Sequence, residues 1–230
     1  MAQKIKIHPE NPQQRKIFDV ADALRSGQIC LMPTDSQFSL ACSYSNKRGL
    51  ERIRQLRDLQ KDHTFTLLID SLNGISKFAH VSDQNFKLIK RLIPGPFTFI
   101  LPATKEVPKL LLHPRRRTIG FRVSGYPICE QVIRELGEPL LAVSARPNDD
   151  TVPEQSDMIR DEIFEMYGNG VDIMIDDEST DNIYLLSQSQ TSVIDLTEDT
   201  ARIYRRGMDF EKVVEAFNMM NFELELEEFE

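Results

Sequence analysis

Short apolar runs alternate with amphipathic helical stretches from one end of this chain to the other, and that alternation constrains the fold more than any single motif. Residues 13–26 place Ile17, Val20, Ala21 and Leu24 on one helical face, and Gly27 follows as a stop. Ile29 to Met32 is then a four-residue apolar run closed by Pro33, which has the length of a buried strand. Asn46 caps a basic helix over 46–60 that turns Leu50, Ile53 and Leu56 inward. A strand is expected at 65–69, and a helix opens at Ser82 with Phe86, Ile89 and Leu92. Further strands are expected near 97–101, 118–123, 140–144, 171–175, 192–196 and 201–205, with helices near 126–136, 156–167 and 209–219. Strands interleaved with helices indicate an α/β architecture, a sheet covered by helices. The polar stretches 146–156 and 176–190 are expected to be loops.

At 230 residues the chain is long enough to close its core without disulfides or metals. Its three cysteines (Cys30, Cys42, Cys129) are odd in number and far apart, and no Cys/His spacing suits zinc. No apolar run approaches the roughly 18 residues of a membrane helix, and the first residues lack a signal-like apolar core. The expected setting is therefore the reducing cytoplasm, with no membrane partner.

Net charge is −8, yet the charge is uneven. The last ten residues hold five Glu and no cation; the remainder carries 31 acids against 28 bases. Its cations cluster at Lys47, Arg48, Arg52, Arg54 and Arg57, at Arg115 to Arg117, and at Arg202, Arg205 and Arg206. Local potential decides whether an anion is attracted, so a polyanionic ligand is compatible with the negative total.

Gly-rich phosphate loops, a GxSxG elbow and HExxH are all absent. The histidines (His8, His63, His80, His113) are scattered, which is the pattern of surface or packing residues. The most informative local feature is Pro33-Thr34-Asp35-Ser36, directly after the first apolar run. It is either a plain turn or a set of two hydroxyls and a carboxylate at the carboxyl end of a strand, where α/β sheets bind ligands. The Arg stripe of helix 46–60 is likewise either a solvated face or a phosphate contact. In the segment holding Arg115, Arg116, Arg117 and Arg122, strand alternation puts Arg117 and Arg122 on opposite faces, so one of that pair at most lines a given site.

Taken in order, PTDS, the Arg helix, KDHTFTLLI, IPGPFTFILPAT, RTIGFRV followed by YP, LLAVSA, and TSVIDLT followed by RRG resemble one family. They are similar to the YrdC/YciO family, whose best-known members are threonylcarbamoyl-AMP synthases, and IHPENPQQR and TKEVPKLL bring the chain nearest the YciO branch. The resemblance implies a YrdC-type α/β twisted sheet with helices on its faces and a concave basic groove. Residues 1–210 would be the YrdC-like domain, and 211–230 a C-terminal helix end and acidic tail.

The resemblance also implies a groove that takes ATP, bicarbonate and threonine, forms threonylcarbamoyl-adenylate with release of pyrophosphate, and serves tRNA modification. It further implies binding of RNA, double-stranded RNA in particular. By position, Thr34 and Ser36 would hold the amino acid, and Arg57, Ser144, Arg146 and Arg206 the ATP phosphates. Arg122 matches the family's strand Arg, and Ser192 its late Ser. No cofactor is expected to be permanently bound, and Mg²⁺ would be held mainly through ATP phosphates.

The departures matter chemically. The family's PTDTVYGL reads Pro33-Thr34-Asp35-Ser36-Gln37-Phe38-Ser39-Leu40 here. Its KxRP aligns with Arg57-Asp58-Leu59-Gln60, and its SxN with Ser144-Ala145-Arg146. Leu59 in place of an Arg removes a bidentate anion donor, while Arg146 adds a cation from another direction. Losing one transition-state donor commonly costs about 10²–10³ in rate. The expectation is therefore a groove for RNA or ATP with weak or altered synthase activity, and a fully active synthase is the alternative.

Overall fold

The computed structural model describes residues 2–60, 62–146, 157–177, 183–185, 190–220 and 224–226. Its first half runs β1 (Gln3–Lys6), α1 (Gln14–Arg25), β2 (Cys30–Met32), β3 (Ser39–Ser43), α2 (Lys47–Leu56), β4 (Thr66–Ile69), α3 (Asp83–Leu92) and β5 (Phe97–Pro102). Next come β6 (Thr118–Val123), α4 (Pro127–Leu136), β7 (Leu140–Ser144), β8 (Asp157–Ile159) and α5 (Arg160–Tyr167). The chain finishes with β9 (Ile173–Asp176), β10 (Ile183–Leu185), β11 (Ser192–Asp195), β12 (Ala201–Arg205), α6 (Phe210–Met220) and β13 (Leu224–Leu226).

Local chemistry sets these bounds. Asn46 accepts the Gly49 N–H at 2.8 Å and starts α2, and Ser82 accepts the Asn85 N–H at 3.1 Å and starts α3. Pro127 sits in the first turn of α4, and Gly137 closes it in the left-handed region at φ 79°. The basic helix stops at Leu56 rather than reaching 60, because the chain turns through Asp58 at φ 47°.

Eleven strands form one mixed sheet in the order β1-β9-β2-β3-β7-β4-β6-β5-β11-β12-β13, and β8 and β10 make a separate pair. One face of the large sheet is closed along its length. There Leu67, Phe99, Phe121, Ile194 and Ile203 join Leu50 and Ile53 of α2, Leu88 and Ile89 of α3, and Val213 and Phe217 of α6 in one core. Phe99 lies opposite Phe121 in the β5–β6 ladder, and their rings stack with centroids 5.4 Å apart. Among the described residues the other face is covered only at one end, where Ile17, Val20 and Leu24 of α1 and Ile128, Val132 and Ile133 of α4 seal Cys30, Met32, Ala41 and Ile173. Beyond α4 no helix among the described residues covers that second face, and the groove lies there.

The α/β architecture follows the sequence pattern, but the helix expected over 156–167 begins only at Arg160, because Asp157–Ile159 forms strand β8 and pairs with β10. β1, β3 and β13 escape a periodicity reading because each is only three to five residues long. β3 is wholly buried despite its two serines, since both its neighbours pair with it. β13 falls in the acidic tail and pairs in parallel with β12. The loops expected at 146–156 and 176–190 lie outside the described residues except at their ends and at β10, which pairs with β8.

Candidate ligand-binding groove

The groove is a cavity of about 420 Å³ on the open half of the sheet. Its floor is made of alternate strand residues: Thr66 of β4, Gly120 of β6, Thr98 and Ile100 of β5, and Val193 of β11. Alternation sends their neighbours Leu67, Phe121, Phe99 and Ile194 into the core, so a rigid apolar layer backs the floor. Gly120 keeps that floor low, because a Cβ there would stand 3.6 Å from Thr98 Cγ2 and 3.7 Å from Thr66 Oγ1.

The segment 33–38 forms one wall. Thr34 is buried and closes the turn on itself, donating from Oγ1 to the Gln37 carbonyl at 2.6 Å and accepting the Ser36 N–H at 3.2 Å. Asp35 pins the segment to the end of β6, accepting from Ser124 Oγ at 2.6 Å, from the Gly125 N–H at 3.0 Å and from the Arg122 guanidinium. Arg122 also donates to Ser36 Oγ at 2.7 Å, and its Nε is buried with no hydrogen-bond partner among the described residues. A buried guanidinium can be held this way because Asp35 compensates it.

Five arginines line the groove (Arg57, Arg116, Arg122, Arg146 and Arg205), and no carboxylate does so among the described residues. Arg57 caps α2 at its C-terminal end and donates from Nε to the Ser144 carbonyl at 2.9 Å. Burial pulls its pKa down, the Tyr167 hydroxyl pushes back, and Arg146 lowers it further. Arg205 donates to the Thr191 carbonyl and to Thr191 Oγ1, both at 2.7 Å, and has no carboxylate partner among the described residues. Burial, then the charges of Arg146 and Arg122, push its pKa down to about 10. The guanidinium stays charged at neutral pH, in a place where charge is unfavourable.

Of the residues singled out in the sequence, Ser36, Arg57, Arg122, Ser144 and Arg146 meet in this groove. Thr34, Ser192 and Arg206 do not line it. Ser192 Oγ ties the Met208 carbonyl and the Gly207 N–H at 3.1 and 3.0 Å. Arg206 instead lies over the Phe210 ring, 5.6 Å from its centroid.

Its neighbour Arg205 faces the groove because the β11–β12 ladder shifts register between Val193 and Ile194. That bulge resets the side-chain alternation and re-aims the chain end.

Arg116, His63 and His113 also belong to the lining and were not assigned to a site from the sequence. Arg116 had a readable signal, since it shares two-residue spacing with Thr118, Gly120 and Arg122. The histidines had none. His63 is exposed at its outer side, and partial desolvation first, then Arg57, Arg54 and Arg146, hold it below the usual histidine range.

The far corner of the groove is built differently. Arg116 pairs with Asp195 and donates to the Tyr204 hydroxyl at 2.5 Å. Burial opposes the Asp195 charge, yet hydrogen bonds from Thr197 and Arg116 outweigh it and hold the carboxyl below the usual range.

Nucleophilic cysteine chemistry has no place here. Cys30, Cys42 and Cys129 are buried, and burial pushes the Cys42 and Cys129 thiols up to about 12. No cluster of His, Cys, Asp or Glu among the described residues has the form of a metal site. No helix of the described residues is long and apolar enough to cross a membrane.

The Sua5/YciO/YrdC family, described as "Telomere recombination", matches residues 22–207. Escherichia coli YciO, itself described as uncharacterized, is 38% identical over 209 residues, which cover 90% of this chain and 97% of that protein. Its crystal structure superposes with a TM-score of 0.79 at 36% identity, covering 93% of this chain and all of that one. A threonylcarbamoyl-AMP synthase of Vibrio vulnificus is 25% identical over 147 residues, 63% of this chain and 78% of that protein. P. abyssi Sua5 in complex with L-threonine has the same fold, with a TM-score of 0.78 at 22% identity over 96% of this chain and 62% of that one.

Proposed function

This chain is a member of the Sua5/YciO/YrdC family, and from that premise we propose that it binds ATP in the arginine-lined groove and carries a weakened or altered form of threonylcarbamoyl-AMP synthase chemistry. One observation carries the reading. Arg205 is a half-buried cation beside Arg146 and Arg122, with neutral partners only among the described residues. Holding such a charge unpaired is costly, and a polyphosphate would discharge the cost through charge-assisted hydrogen bonds.

Depth favours a nucleotide over duplex RNA. Arg57 and Arg122 are each 5% exposed, so a double helix riding on the rim would not reach them. The cations hold and orient phosphates, and the donors around Ser36 and Ser144 suit a small polar co-substrate such as threonine. Weakening follows from the changed motifs: Leu59 supplies no guanidinium, and Arg146 reaches the groove from an exposed position instead. Full synthase activity is the second reading, favoured by the identity with the Vibrio vulnificus synthase.

The test is pyrophosphate release from ATP with threonine and bicarbonate, run beside Gly120→Val. A Cβ at Gly120 makes only ordinary contacts, and a β-branched residue suits a strand, so the variant folds while its side chain raises the floor. Slow release that needs both co-substrates, and an ATP affinity about tenfold or more weaker in Gly120→Val, are expected. No release and no ATP binding by the wild-type protein would overturn the reading, and release as fast as an authentic synthase would select the second one.

A further inference from the structure

The connection between β5 and β6 is longer than its geometry requires. The two strands are antiparallel neighbours, which a two-residue turn can join, yet residues 103–117 lie between them. The first part of this connection is fixed: the Thr104 N–H donates to the Phe78 carbonyl at 3.0 Å, and Val107 and Leu111 are buried in the core. Its last part, 113–117, is held differently. His113 Nδ1 accepts the backbone N–H of Arg115 at 3.3 Å and of Arg116 at 3.1 Å, and the Arg117 N–H donates to the His113 carbonyl at 3.0 Å. These bonds shape the turn from within. Among the described residues only its base is bonded to backbone outside it, through Ala103 with Arg117 and His113 with Thr118, each at 3.1 Å.

Among the described residues one side chain of this turn fastens it to distant strands. The Arg116 guanidinium pairs with Asp195 of β11 and donates to the Tyr204 hydroxyl of β12 at 2.5 Å and to Thr197 Oγ1 at 3.3 Å. The strand order is β6-β5-β11-β12, so this side chain passes over β5, and both His113 and Arg116 line the groove. The tie therefore crosses one end of the groove floor. Its two sides differ in burial, with 3% of the Asp195 side chain exposed and 34% of Arg116. Arg117, at the base of the turn, sits at φ 54°, a left-handed conformation that costs an Arg energy and is kept by its surroundings. Arg115 and Arg117 add like charge to the same exposed turn, and that repulsion works against closure.

We infer that residues 113–117 are a latched strap: Arg116 on Asp195 holds the strap closed over the groove end, and release of that contact lets the turn swing outward about its base. Charge-assisted hydrogen bonds supply the hold. Because few backbone bonds lie beyond the base, this piece can open locally while the β5–β6 ladder stays intact. The inference goes beyond the proposed function and needs no particular ligand. It assigns to Arg116 and Asp195 the control of access to one end of the cavity.

The test is a distance distribution measured by electron spin resonance between labels at Arg115→Cys on the strap and Asp19→Cys on α1. Both positions are exposed, and Cys30, Cys42 and Cys129 are buried and stay unlabelled. The doubly labelled protein is expected to show one distance, and the addition of Arg116→Met a second, longer population of about 10% or more. Asp195→Asn should do the same. The partly exposed Arg116→Met keeps the test standing should the buried Asp195→Asn fail to fold. An unchanged distribution in Arg116→Met would overturn the latch. So would a longer population accompanied by faster hydrogen exchange throughout β5 and β6, since the loosening would then not be local.

Discussion

His63 is the residue at which the groove's electrostatics can be read through pH. Partial desolvation and the charges of Arg57, Arg54 and Arg146 lower its pKa in the folded state, against a smaller opposing pull from Asp62. A folded pKa below the unfolded value of about 6.5 means that the unfolded chain binds the proton more readily. Stability from this site is therefore full above about pH 6.5 and is lost as pH falls toward the folded value. Thermal melts between pH 7.5 and pH 5.5 should show a decline that is smaller in His63→Gln. Equal declines in the two proteins would show that His63 does not feel the arginines.

Among elements, the 33–38 segment owes its place to the Asp35–Arg122 pair, whose side chains are 16% and 6% exposed. Removing one partner of a buried pair leaves an uncompensated charge, at a cost of about 3–5 kcal/mol. Asp35→Ala should lose that much in urea denaturation, and Asp35→Ala combined with Arg122→Met should recover most of it. A single variant as stable as the wild type would show that the pair does not hold the segment. The PTDS cluster was readable in the sequence as a polar turn at a strand end, but not the partner that fixes it, because Arg122 is 87 residues away. Periodicity likewise reveals α1, α2 and α4, whose buried faces repeat at helical spacing. It could not reveal the β11–β12 bulge, which depends on pairing and decides that Arg205 rather than Arg206 faces the groove.

At the scale of the whole molecule, a chain of net charge −8 builds a cavity lined by five arginines and no described carboxylate. The acids are spent elsewhere: Asp35 and Asp195 pair with Arg122 and Arg116, while five Glu lie in the last ten residues. The focused potential of a cleft, rather than the total, sets its ligand. Residue order alone showed the family and the α/β layering, since both depend on local runs. The half of the sheet that no described helix covers was not legible, because it results from helices α1 and α4 packing against the other end.

The most direct test of the account is calorimetric titration of ATP into the wild-type protein and Arg205→Met at low and moderate salt. The prediction is micromolar binding by the wild type that weakens only modestly with salt, and an affinity about tenfold or more lower in Arg205→Met, the loss expected for a charge-assisted contact. Replacing a half-buried cation whose partners among the described residues are neutral by an apolar side chain of similar length should leave the unfolding midpoint of the ligand-free protein equal or higher. No ATP binding by the wild type, or the same affinity in both proteins, would contradict the claim that this groove is a nucleotide site.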